Sequence, residues 1–234
     1  MADLLYLRII SRLIKYVCLI GIVSHGTTVM AFTSLLGGVL ATPTTYEVTI
    51  SKIEFQDSSG SFVTFAEGSF LLDMASVTAN QAVGTIPGTP PPPGTYTSMR
   101  ITFSDTFGLT GSVPDAGAGQ PAKTDTGNAS NVVSGGISNI GTANTTGGAG
   151  TKQSVPVPTG AAITTALNNA EISRSGGNMQ ISSPVSFTIT SDSSVMPNLK
   201  MDFDVINAME FLTTGGGTAI VIPLPPDINF TIGP

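Results

Sequence analysis

Between residues 46 and 55 apolar side chains fall on every second position, with one change of phase between Ile50 and Ile53. Tyr46, Val48 and Ile50 share one side of an extended chain, with Glu47, Thr49 and Ser51 on the other. This is the period-2 pattern of a half-buried strand. Ile53 and Phe55 resume the apolar set on odd numbers after Ser51-Lys52, so one extra residue, a β-bulge, is expected there. Asp57-Ser58-Ser59-Gly60 is turn chemistry, and Phe62–Phe65 completes a predicted hairpin. Phe70-Leu71-Leu72 is a third apolar run. The prolines of Pro90-Pro91-Pro92-Pro93-Gly94 cannot donate to a ladder, so the segment reads as a stiff, exposed loop. From Thr95 to Phe103 alternation resumes. Met99, Ile101 and Phe103 share a face with Thr95 and Thr97; Tyr96, Ser98, Arg100 and Thr102 share the other.

Phe107 to Val113 predicts a further strand. From Pro114 to Lys152 the pattern fades into Gly, Ala, Thr, Asn and Ser. That stretch reads as a long surface insertion, with short Thr/Asn strands at a sheet edge as the alternative. Ser154–Pro158 restarts β character, and Ala161–Leu167 suits a short helix or a strand. Ile172, Met179–Ser182 and Val185–Ile189 form a strand-turn-strand series. Leu199, Met201, Phe203 and Val205 alternate with Lys200, Asp202 and Asp204. Ala219–Ile222 is apolar throughout, as in a strand buried on both faces. Pro223-Leu224-Pro225-Pro226 ends it, and Ile228, Phe230 and Ile232 close the chain as a last alternating strand.

The series Val48–Phe55, Leu71–Ser76 and Pro93–Phe103 resembles bacterial secreted domains of unknown function with a prealbumin-like, or transthyretin-like, β-sandwich. In that group a P-x-G-T-Y-T-x-[ILM]-R step leads into a core strand; here it is Pro92 to Arg100. The resemblance covers a quarter to a third of the chain. It implies the fold and no definite activity.

The N-terminal 41 residues have a different character. Arg8, Arg12 and Lys15 precede an apolar run from Tyr16 to Val23; Ser24–Thr28 is polar, and Val29 to Ala41 is apolar or small again. A basic start, an apolar middle and small residues at the end make a secretory signal peptide. Val39-Leu40-Ala41 is the favoured cleavage point, with Val29-Met30-Ala31 as a second candidate. An uncleaved membrane anchor and a pilin-type segment processed after Gly26 are the other readings. No lipobox precedes Cys18.

Charged residues are only 10% of the chain, against about 25% in an average globular protein. The 27 glycines and 16 prolines suit many turns, while 41% hydrophobic content argues against disorder throughout. The net charge is −6, and a chain starting at Thr42 keeps 6 basic and 14 acidic residues, a net −8. Such a surface lacks the basic footprint that nucleic acid requires, and it disfavours anionic membranes.

The sole cysteine, Cys18, and the sole histidine, His25, both lie in the leader, and there is no Trp. Ser-His-Asp and Cys-His arrangements are therefore unavailable after cleavage, as are soft or imidazole metal ligands. A Ser-Lys dyad would have to use Lys52, Lys123, Lys152 or Lys200; Lys52 and Lys200 read as strand lysines on solvated faces. Calcium needs only oxygen. The candidates are Asp202 and Asp204, about 7 Å apart on one strand face, with Asp57 and Asp125 in loops. By distance alone the same pair would be a candidate for glycoside hydrolysis, and aromatic sugar platforms are scarce. Asn128, Asn144 and Asn229 begin glycosylation sequons.

The expectation is thus an all-β protein. Residues 1–41 form a signal peptide or anchor helix, and residues 42–234 one β-sandwich domain, prealbumin- or Ig-like, with a Gly/Thr/Asn-rich insertion at about 114–152. It would be secreted or held at the cell surface, non-enzymatic and without a cofactor, calcium being the one possible exception. Its role would be structural or adhesive, as a matrix or filament subunit. It would self-associate, or bind other surface proteins or polysaccharide, touching membrane only through an uncleaved leader. The strands of Tyr46, Val48 and Ile50, and of Ile228, Phe230 and Ile232, are the candidates for exchange between neighbours. The alternative is a monomeric secreted module that binds polysaccharide or another surface ligand.

Overall fold

The computed structural model describes residues 34–77, 83–126, 132–134, 136–191, 198–213 and 218–233; of 132–134, 198–202 and 227–233 it describes the backbone only. Residues 1–33, on which most of the expected signal peptide or anchor falls, lie outside the described residues. Among the described residues the architecture is all-β, with one short α-helix.

Strand β1 (Val39–Ala41) is followed by the long hairpin of β2 (Thr45–Asp57) and β3 (Phe62–Asp73). Its turn forms as expected. Asp57 Oδ1 accepts from Ser59 N (2.8 Å), Ser59 Oγ (2.6 Å) and Ser61 N (3.0 Å), and Gly60 takes φ +89°. These bonds, above all that from the Ser59 hydroxyl, hold the Asp57 carboxyl below the usual range. The bulge also appears where expected. Ile50 faces Phe103 and Lys52 faces Thr102, so Ser51 is the extra residue and Ile53 and Phe55 return to the core. Phe62–Phe65 and Phe70–Leu72, expected as two runs, are one strand, because a register shift near Phe65 lets β3 follow β2 past Gly68.

Strand β4 (Gly94–Ser104) carries a correction. Tyr96, expected opposite Met99 and Ile101, is buried with them at 2% exposure. Gln56 and Asp57 of β2 face Ser98 and Tyr96, which leaves Thr97 as an unpaired extra residue that restores Tyr96 to the core side. There Tyr96 stacks on Phe187 at 5.1 Å, and Phe55 meets both rings edge-on. The Tyr96 hydroxyl donates to Pro92 O at 2.6 Å, tying the proline loop to the sheet.

Strand β5 (Thr106–Thr110) continues β4 along the same edge of β2. The short strands β6 (Ser112–Val113) and β7 (Ala122–Lys123) then pair with each other. Strands β8 (Val132–Ser134) and β9 (Ile137–Ala143) follow. Residues 114–152 were expected as a surface insertion. Here they contribute a sheet edge, and Ile137 and Ile140 are buried. Small residues suit this place: a Cβ at Gly141 would fall 2.8 Å from Val221 O.

Strand β10 (Gln153–Pro156) leads to helix α1 (Ala161–Asn169), β11 (Ile172–Ser175) and β12 (Asn178–Ile189). Strands β13 (Asn198–Asp204), β14 (Met209–Thr213), β15 (Ala219–Pro223) and β16 (Asp227–Gly233) complete the chain. β15 is buried at every position, as its unbroken apolar run predicts.

Two sheets dominate. One has the order β1-β14-β15-β9-β8; the other joins β10, β5, β2, β4, β12 and β11, with β3 on the free edge of β2. Their buried residues form one hydrophobic cluster. The buried Tyr46 hydroxyl links the two sides of this core, donating to Leu224 O at 2.7 Å. Burial pushes that hydroxyl far above its ordinary range. β13 and β16 form a separate antiparallel ribbon.

Candidate functional site

Glu210 lies on β14 in the run Met209-Glu210-Phe211-Leu212 and is only 1% exposed. A buried carboxylate survives only if its lone pairs are used. Here the segment before β1 wraps around it. Oε1 accepts from Ser34 Oγ (2.6 Å), Leu36 N (3.0 Å) and Gly38 N (2.6 Å), and Oε2 from Leu35 N (2.7 Å). Successive main-chain N–H groups thus form an anion-holding nest with the anion supplied by the fold itself. Gly37 makes the turn at φ +75°. At Gly38 a Cβ would strike the Phe211 carbonyl oxygen and sit 2.9 Å from Glu210 Oε1, so only glycine lets the segment approach.

The chain then enters the ladder, with Val39, Leu40 and Ala41 opposite Phe211, Glu210 and Met209. Leu35, Leu36 and Leu40 pack on the core. Chemically this is a strand lock. It recognises the main chain of one glycine-containing segment, and its carboxylate oxygens are already engaged. Sequence reasoning passed over it, although a lone acid inside an apolar run is a usable signal.

The expected exchange strands divide. Tyr46, Val48 and Ile50 lie on β2, which pairs with β3 along one edge and with β4 and β5 along the other. Their side chains are buried, and Tyr46 N donates to Asp73 Oδ1 at 2.9 Å. Ile228, Phe230 and Ile232 lie on β16, opposite Phe203, Met201 and Leu199 of β13; the side chains of these three β16 residues are outside the described residues.

Of the calcium candidates, Asp204 Oδ1 accepts from Ile206 N at 2.9 Å, a local turn contact, and the Asp202 side chain is outside the described residues. In register Asp202 faces Asn229 and Asp204 faces Asp227. Among the described residues no three His, Cys, Asp or Glu side chains converge as a metal would need. Asp125 accepts from Asn144 Nδ2 at 2.7 Å, and this bond leads the contacts that hold its carboxyl below the usual range. The same contact occupies the amide of one sequon.

The lysines are engaged too. Lys52 pairs with Glu54 at 3.1 Å, Lys152 with Glu47 at 3.0 Å, and Lys123 donates to Gly147 O at 3.3 Å. Lys200 is outside the described side chains. Arg100 joins the Lys52 group, donating through Nε to Glu54 at 2.8 Å with its guanidinium 3.8 Å above the Phe62 ring. Lys52–Glu54 is an i,i+2 contact along β2, and Arg100–Glu54 is a cross-strand pair between β4 and β2.

One apolar cavity of about 30 Å³ lies between the larger sheet and Pro223–Pro226, lined by Tyr46, Ile50, Phe103, Met179, Phe203 and Leu224. Lacking free polar partners, it has the character of a dry packing gap. No described helix is long and apolar enough to cross a membrane. Comparison with protein-family models, curated proteins and solved structures finds no match for this chain.

Proposed function

We propose that this is an exported, non-enzymatic structural protein of the cell surface or matrix. Its β domain is a sandwich of the prealbumin type, and copies associate by adding or exchanging strand β16. Two sheets around a shared core support the sandwich reading. The observation that carries the assembly reading is the position of β16. Among the described residues it lies outside both large sheets, in a two-stranded ribbon with β13. A two-stranded ribbon is marginal alone and offers unpaired edges to a neighbour. β2, sealed on both edges, is the poorer donor, so the joint is assigned to the C-terminal strand.

A polysaccharide-binding module would present aromatic platforms. Among the described residues, the large apolar side chains that are well exposed are Val39, Leu71 and Ile206, none of them aromatic. This favours self-association over that alternative.

The test is negative-stain microscopy with light scattering on the purified exported chain over a concentration series. Fibres or sheets that shorten when excess Asp227–Gly233 peptide is added are the expected result. A monomer at every concentration refutes assembly. Polymers unchanged by the peptide, and by deletion of residues 226–234, refute β16 as the joint.

A further inference from the structure

We infer that the exported chain is cut after Ala31, not after Ala41, and that Ser34–Ala41 is a working part of the mature domain. This rests on the export reading above. The pattern of small residues alone does not separate the two sites, since Val29-Met30-Ala31 and Val39-Leu40-Ala41 present the same residues at the specificity positions. The fold separates them. Cleavage after Ala41 would remove all of β1 and with it Ser34 Oγ and the Leu35, Leu36 and Gly38 amides that satisfy Glu210. A carboxylate 1% exposed in the intact fold would then lose those donors, and the β14 edge would lose its ladder partner. Cleavage after Ala31 leaves these contacts intact.

The leader also fits the earlier site better. Tyr16–Val23 is an apolar core of eight residues, followed by the polar Ser24–Thr28 and then the small-residue step. A signal peptide asks for about 7–15 apolar residues before its cleavage region. Extending it to Ala41 would place a second apolar stretch after the polar break. The reaction is hydrolysis by a signal peptidase: water splits the Ala31–Phe32 amide, leaving a carboxylate on Ala31 and an amine on Phe32.

The experiment is expression of the full chain in an exporting bacterial host, with N-terminal sequencing and intact mass of the extracytoplasmic product. A product starting at Phe32 is expected, and Ala31→Arg should make the precursor accumulate. An exported product starting at Thr42 overturns this inference and leaves export standing, as does normal processing of the Ala31→Arg chain. A membrane-held chain that keeps Met1 overturns cleavage. A chain found only inside the cell with its leader intact overturns the export reading, and this inference with it.

Discussion

Replacing Glu210 by Gln tests the strand lock with almost no change of shape. If the Gln carbonyl takes the place of Oε1, it keeps Ser34 Oγ, Leu36 N and Gly38 N as donors. Its NH2 group then faces Leu35 N–H, where a 2.7 Å bond to Oε2 existed. The Leu35 N–H and the new NH2 group then lack an acceptor there, and leaving a donor unsatisfied costs about 1–3 kcal/mol. Three bonds fall from ionic to neutral strength, each losing about 1 kcal/mol. A neutral amide is easier to bury than a carboxylate, and this offsets part of the loss. The net expectation is about 2–3 kcal/mol of destabilisation, or roughly 4–12 °C in Tm for a chain of this size. Glu210→Ala removes every acceptor and leaves a void, with a loss of about 3–5 kcal/mol.

The loss has an upper bound, because the segment can undock and give its amides to water. Urea unfolding should therefore be read with hydrogen exchange. Amides of Leu35, Leu36 and Gly38 should lose protection in both variants, while those of Phe55 and Ile101 in the other sheet keep theirs until global unfolding. Variants within about 0.5 kcal/mol of the parent, with unchanged protection at residues 35–38, would refute the reasoning.

Gly38→Ala should also release β1, because its Cβ meets the Phe211 carbonyl and Glu210; combined with Glu210→Gln it should cost clearly less than the sum of the two, and strict additivity in a double-mutant cycle would sink the shared-lock idea. Tyr46→Phe orphans the buried Leu224 carbonyl and should cost about 1–3 kcal/mol, whereas Tyr96→Phe frees the carbonyl of the exposed Pro92 to water and should cost about 0.5–1.5 kcal/mol; the reverse order in urea melts would contradict this account. Burial raises both tyrosine hydroxyls above 10.0, so above that pH the unfolded chain ionises first and stability should fall as pH rises; ultraviolet titration showing native ionisation at the ordinary value would disprove it. The Asp57 carboxyl lies below 3.8, so its turn should persist above the unfolded value and loosen only as acid carries the pH through the lower folded one; Ser59 and Ser61 amide shifts that titrate at or above 3.8 would refute this.

Strands with strong alternation were legible because side-chain period and burial are the same geometric fact. The Ser51 bulge could be read from the phase change between Ile50 and Ile53, and β15 from its unbroken apolar run. Tyr96 was misplaced because its alternation with Met99 looks regular on paper. The bulge that moves it is set by the Gln56–Asp57 partner strand, so the cause lies outside the local sequence. The stretch from Pro114 to Lys152 is less legible for another reason. It holds few large apolar residues, and Gly141 is needed for close approach to Val221 rather than for a turn.

The lock itself was hidden by an ambiguity of composition. Leu35-Leu36-Gly37-Gly38-Val39-Leu40-Ala41 is apolar and small, which is equally the end of a signal peptide and a strand with a tight entry. Nothing within the segment separates the two, since both need small residues where the backbone must come close to another surface. The distinguishing residue is Glu210, far along the chain. An acid between Met209 and Phe211, buried on β14, requires donors, and an apolar segment with free amides and two glycines is what can supply them without bringing a charge of its own. The small residues before Thr42 are therefore explained by what they fit against, which is the argument for counting them in the domain.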